Sequence, residues 1–186
     1  GIIQAMAPPA METADVEADL QRISERAGKR KDHMAIKSLV DNILKRFPAD
    51  VSSNQIVDAL KLGCESKSSK IIELCLDCFQ HMILGGWFNA QPAASPKGNN
   101  SRHRRTPSRV AQNARHSYAL GIFIESVTVL YNYTSFLIQR AVVQCLSLAV
   151  VCPKCGLNGD MLLSAIRTTY NIALMSRAPN VQKDAR

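Results

Sequence analysis

Apolar residues recur along this chain with the 3.6-residue period of a helix almost throughout, and no segment alternates convincingly at period two. Val16, Leu20 and Ile23 open a first amphipathic segment, interrupted around Gly28. Ile36, Val40, Ile43, Leu44 and Phe47 form a second, which Pro48 stops. Asp50 or Ser52 can cap the next helix, which carries Ile56, Val57, Leu60 and Cys64. Ser68 or Ser69 can cap a fourth, whose stripe is Ile71, Leu74, Cys75, Cys78, Phe79 and Met82; Gly85-Gly86 end it. From Trp87 to Ser108 the composition shifts to Pro, Gly, Ser, Asn and Arg, which predicts a long mobile loop. Helical pattern resumes near Val110 and runs towards Tyr131, with Gly121 as a weak point. Thr134 or Ser135 can cap a helix that buries Leu137, Ile138, Ala141, Val142, Cys145, Leu146, Leu148 and Ala149, and Pro153 prevents its continuation. A last helix runs from Asp160 to about Arg177, with Leu162, Leu163, Ile166, Tyr170, Ala173 and Leu174 as its apolar set.

The pattern predicts an all-α fold of about seven helices. "SSKIIELCLDCFQHMI" and "TSFLIQRAVVQCLSLAV" share one construction, a polar cap followed by a dense aliphatic face, with Cys78 and Cys145 in equivalent places. That hints at stacked helix pairs of the armadillo or HEAT kind. The expected organisation is one helical domain over 12–178, preceded by a tag remnant or disordered start at 1–11, interrupted by the loop at 87–108 and followed by a tail at 179–186.

Composition sharpens this picture at three points. Of the 186 residues, 46% are hydrophobic and only 5% aromatic, which suits an aliphatic helical interior. No apolar run reaches the length needed to span a bilayer, and the start shows no secretory leader, so a reducing, cytoplasmic setting with free thiols is expected. The net charge is +8. It is concentrated: Cys78 to Ile124 holds no Asp or Glu but carries Lys97, Arg102, Arg104, Arg105, Arg109 and Arg115.

Candidate chemistry is sparse. "CPKCG", Cys152 to Gly156, has the look of a zinc knuckle, and Cys75 with Cys78 supplies a second pair three apart. The second pair sits on an apolar helical stripe rather than a turn, and free Cys commonly packs as a small hydrophobe. We therefore read "CPKCG" as a helix-to-helix turn, with Asn158 or Asp160 capping the last helix, and expect no metal and no cofactor. No phosphate loop, metal-binding His-Glu pair or nucleophile elbow occurs in the sequence, so no catalytic residues are assigned. In the basic loop, Arg102, Arg104, Arg105, Thr106 and Ser108 could meet anionic lipid or form a basophilic kinase target; a solvated loop is the plain alternative.

Four segments, in order, carry a family resemblance. "LKLGCESKSSKIIELCLDCFQHMI" resembles a leucine-rich turn ending in Ala-Cys-Gln-Ser-Lys and the helix after it. "FIESV" resembles Ile-Ile-Glu-Thr-Ile. "LIQRAVVQCLSLAV" resembles Leu-Gln-Ile-Ile-Lys-Ala-Leu-Leu-Thr-Ala-Val. "AIRTTYNIAL" resembles Ala-Val-Arg-Thr-Cys-Tyr-Asn-Ile. Together they are similar to the N-terminal dimerisation and cyclophilin-binding (DCB) domain of large guanine-nucleotide exchange factors for Arf GTPases, of the brefeldin-A-inhibited trans-Golgi class. The basic loop and "CPKC" depart from that pattern.

The resemblance implies an armadillo-like regulatory domain of an exchange factor, without catalysis of its own, involved in vesicle trafficking. Its implied partners are an Arf-like small GTPase, the homology-upstream region of the same protein, a second copy and a cyclophilin, with peripheral association at trans-Golgi membranes. In the matched segments Lys67, Lys70, Asp77, Arg167, Tyr170 and Asn171 are the polar residues that a core leaves unexplained, and they are the expected partner-binding set. Each also has a plain account: Lys67 and Lys70 as solvated helix-start residues, Tyr170 as half core, Asp77 and Asn171 as ties between turns. Two other classes stay open. A HEAT-type adaptor of another transport complex predicts protein binding without dimer or GTPase. A basic helical nucleic-acid-binding domain predicts binding that falls steeply with salt.

Overall fold

In the computed structural model, residues 10–88, 109–157 and 159–176 are described. Among them are seven α-helices: α1 (Ala10–Ala27), α2 (Met34–Leu44), α3 (Ser53–Cys64), α4 (Ser69–Leu84), α5 (Arg109–Thr128), α6 (Phe136–Val151) and α7 (Gly159–Met175). Short 3-10 turns precede α2 (Lys31–His33) and follow α5 (Val129–Asn132). No strand occurs among the described residues.

The helices form two facing rows. α1, α4 and α6 pack side by side in one; α2, α3, α5 and α7 follow each other in the second. α1 and α2, α3 and α4, and α5 and α6 also pack across the rows, so the chain builds a stack of helix pairs closed by α7, which rests on α5 and α6. α4 is central and its stripe is fully enclosed: Ile71, Ile72, Cys75, Leu76, Cys78, Phe79, Met82 and Ile83. Phe79 meets Phe123 of α5 edge-on at 5.0 Å between centroids.

Local chemistry sets the boundaries. Ser52 caps α3 in a capping box, its N–H donating to Gln55 Oε1 at 3.2 Å. Gly86, at φ 69, ends α4. Its N–H donates to Ile83 O and the Trp87 N–H to Met82 O, the paired bonds of a Schellman turn, which requires the left-handed conformation that glycine adopts freely.

Three expectations need correction. α2 ends at Leu44, so Phe47 lies beyond it, where it stacks on Trp87 at 5.7 Å. Trp87 and Phe88 belong to the core rather than to the loop: Phe88 is buried and packs 5.4 Å from Phe123, and the Trp87 carbonyl accepts a hydrogen bond from Ser53 Oγ at 2.6 Å. Leu137 of α6 is exposed, and Val143 takes the inward place instead. The remainder of the predicted loop, 89–108, lies outside the described residues.

The two ends of the stack differ. On α1 the inward face is Val16, Leu20, Ile23 and Ala27, whereas Asp15, Gln21, Arg22, Glu25 and Arg26 face water. No large exposed hydrophobic side chain lies on α1 from Thr13 onward. At the opposite end, α7 exposes several.

Candidate functional site

α7 has two apolar faces. Ala165, Thr168 and Ile172 form its buried line, continued by Ser176 just past the helix. Leu163, Ile166, Tyr170 and Leu174 repeat at the same helical spacing about half a turn away, and they are 51%, 53%, 62% and 64% exposed. At 100° per residue the two lines point in nearly opposite directions. The sequence pattern counts Leu163, Ile166, Tyr170 and Leu174 in one apolar set, with Tyr170 half in the core; the structure leaves all four exposed, because the contacts of α7 with α5 and α6 use the other line. A helix that is apolar on both sides is ordinarily covered on both sides.

Arg167 and Asn171 stand beside the outer apolar line, both exposed. With Tyr170 they supply a polar border to an apolar centre, the usual anatomy of a protein interface. The structure thus brings three of the six expected partner-binding residues together on one face. The signal the sequence offered was the doubled apolar pattern of α7, twice what one packed face needs.

The other three lie elsewhere. Lys67 is in the α3–α4 turn at φ 56, a left-handed conformation that is uncommon for a residue with a Cβ. Its carbonyl accepts the Tyr133 hydroxyl at 3.1 Å. Lys70, in the first turn of α4, pairs with Glu73 at 3.1 Å. Asp77 is on the exposed side of α4, close to the buried Asp19 of α1. Partial burial, and then the Asp19 charge, raise the Asp77 carboxyl above its ordinary pKa. Arg102, Arg104, Arg105, Thr106 and Ser108 fall outside the described residues.

The cysteines follow their local chemistry. Cys75 and Cys78 are buried, their pKa values raised well above the thiol range, Cys75 first by its hydrogen bond with Cys64 and Cys78 first by burial. Cys145 donates to the Leu76 carbonyl at 3.3 Å, tying α6 to α4. Cys152 and Cys155 occupy the turn between α6 and α7, where Gly156 takes φ +58. Burial, and then contact with Cys152, push the Cys155 thiol up to about 12. No cluster of three or more metal-ligating side chains occurs among the described residues. Asn158, one of the expected caps, lies outside them.

Residues 11–186 match the family model described as "Mon2/Sec7/BIG1-like, dimerisation and cyclophilin-binding domain". The chain belongs to this DCB family. The match takes in all seven helices found among the described residues, α1 from its second residue, so the two-faced α7 lies inside the matched range. No curated protein matches the chain.

Proposed function

We propose that this DCB domain is a non-catalytic regulatory module of an Arf guanine-nucleotide exchange factor, and that it dimerises through the outer face of α7. The observation that carries this reading is the exposed line Leu163, Ile166, Tyr170 and Leu174, opposite the face that packs on α5 and α6. The family description, which names dimerisation, supports it. The homology-upstream region of the same protein is a second occupant of the same kind, a further helical layer. Recruitment by an Arf-like GTPase, contact with a cyclophilin and a cytoplasmic, peripheral place on trans-Golgi membranes complete the reading.

The test is the oligomeric state. Light scattering on the 186-residue chain should give a dimer. Ile166→Glu with Leu174→Glu should yield a monomer whose helicity is unchanged and which melts like the wild-type chain diluted to its monomer, because neither side chain supports the core. A monomeric wild-type chain at all accessible concentrations would remove the dimer reading. Capture of a GTP-loaded Arf-like GTPase, absent with the GDP-loaded form, tests recruitment separately.

A further inference from the structure

A cleft of about 610 Å³ lies between the turn that joins α1 to α2 and the turn that joins α3 to α4. Its polar lining is Arg30, Asp32 and His33 from the first turn and Glu65, Ser66 and Lys67 from the second. Two features there stand out. His33 is only 5% exposed, yet its Nδ1 has no hydrogen-bond partner, an arrangement that buried polar atoms ordinarily avoid. Lys67 is held in the left-handed conformation, and strain of that kind collects at binding sites. The two lie on different turns and line the same cleft.

We propose that this cleft binds a phosphoryl group, either of a soluble phosphate ester or of a lipid headgroup. The donors suit a compact anion with several acceptor oxygens. Arg30 offers a planar fork and Lys67 an ammonium. The Ser66 oxygen accepts the Ser68 N–H at 3.4 Å, which leaves its own proton to donate. His33 brings a ring nitrogen and sits at the N-terminus of α2, where the helix dipole favours negative charge. Lys29 and Lys31 add positive charge beside Arg30 in sequence. Asp32 and Glu65 oppose the anion. Asp32 holds Arg30 at 3.5 Å, the outer limit of a hydrogen bond between two exposed side chains, so a phosphoryl group can take Arg30 over. This site is separate from the α7 face and does not depend on the dimer reading.

The experiment is a titration of the full chain with inorganic phosphate and with a soluble inositol phosphate, followed by the amide and imidazole resonances of Arg30, His33, Ser66 and Lys67. A parallel arm floats the chain with phosphatidylcholine vesicles that contain or lack a phosphatidylinositol phosphate. The resonances of both turns should shift together. Arg30→Gln and Lys67→Gln should each weaken binding about tenfold or more, the loss of one charge-assisted contact. Asp32→Asn should tighten it, which a merely structural Arg30–Asp32 pair would not do. Shifts with the soluble ligand alone assign a phosphate ester; co-flotation as well assigns a headgroup. Absence of shifts and of flotation, or equal binding by the Arg30→Gln, Lys67→Gln double variant, overturns the proposal. All three substituted side chains are exposed, so folding is not at stake.

Discussion

His81 Nδ1 lies 2.6 Å from Oδ2 of Asp19, joining α4 to α1 through a carboxylate with only 1% of its side chain exposed. Arg22 reaches the other oxygen, Oδ1, at 3.3 Å. A buried charge is tolerable only while its partners hold it. His81→Ala leaves the buried Asp19 with the exposed Arg22 alone and should cost about 3 kcal/mol in urea unfolding. Asp19→Ala removes the buried charge and leaves a partly exposed His81, so it should cost less. The double variant should be far from additive, since both changes break one contact.

Two carboxylates should respond to pH in opposite senses. Asp41 accepts Lys37 Nζ at 2.7 Å and the Ser24 hydroxyl; the Lys37 and then the Ser24 hydrogen bond lower its pKa from 3.8. Its contribution is therefore present above the ordinary carboxylate pKa and lost as pH falls towards the lowered folded value. Asp77 has a raised pKa, so its ionised form is disfavoured in the folded state, and that penalty is complete once pH exceeds the folded value. Asp77→Asn should raise the melting temperature at neutral pH and Asp41→Asn should lower it. Below the ordinary carboxylate pKa the Asp77→Asn difference should vanish. Melting curves of both variants across this range decide the matter; equal signs at neutral pH would contradict the assignment.

Gly63 of α3 lies against Cys75 of α4. A Cβ built there would stand 2.3 Å from Cys75 Sγ, inside the fully buried stripe of α4. Gly63→Ala should therefore destabilise by about 1–3 kcal/mol, although alanine is the better helix former. Cys75→Ala removes the obstructing sulfur. In the Gly63→Ala background it should restore part of the loss, and a thermodynamic cycle that shows no coupling would mean the helices separate instead.

The register of α7 is open to direct measurement. Ile172, 1% exposed, should cost about 2–4 kcal/mol on truncation to Ala. Leu174→Ala, two residues on, should stay within about 0.5 kcal/mol at concentrations where the chain is monomeric. The reverse ranking would rotate the helix by half a turn.

The stripe of α4 was legible because its apolar residues form one broad face in a helix wrapped by α1, α3 and α6, so period and burial coincide. On α7 they do not. Periodicity shows that Ile166 and Tyr170 share a side with Leu163, but not whether a neighbour covers that side. Trp87 and Phe88 were lost to the predicted loop because Gly85-Gly86 and the polar stretch after them dominate the local composition. Burial of Phe88 arises from Phe123, far along the chain, and no local window contains that contact. Of the candidate site, Arg167, Tyr170 and Asn171 were legible as polar residues in excess of a core's needs. The apolar centre between them was not, since an apolar line in a sequence does not say whether a neighbour covers it. Lys67 was singled out, but Arg30 and His33 were not, because only the fold brings the two turns together.

The difference between the polar α1 end and the apolar α7 end dictates what kind of assembly this stack can enter. Head-to-tail joining of copies would set α7 against α1 and could propagate into a filament. The charged outer surface of α1 offers no match for Leu163, Ile166 and Leu174, which disfavours contact of α7 with α1. Contact of α7 with α7 is isologous: it consumes both adhesive ends at once and terminates at two. A pair formed this way also places the two α1–α2 ends, and with them the two clefts, at the far poles of the particle. A ligand at one pole would then leave the other pole free for a second attachment.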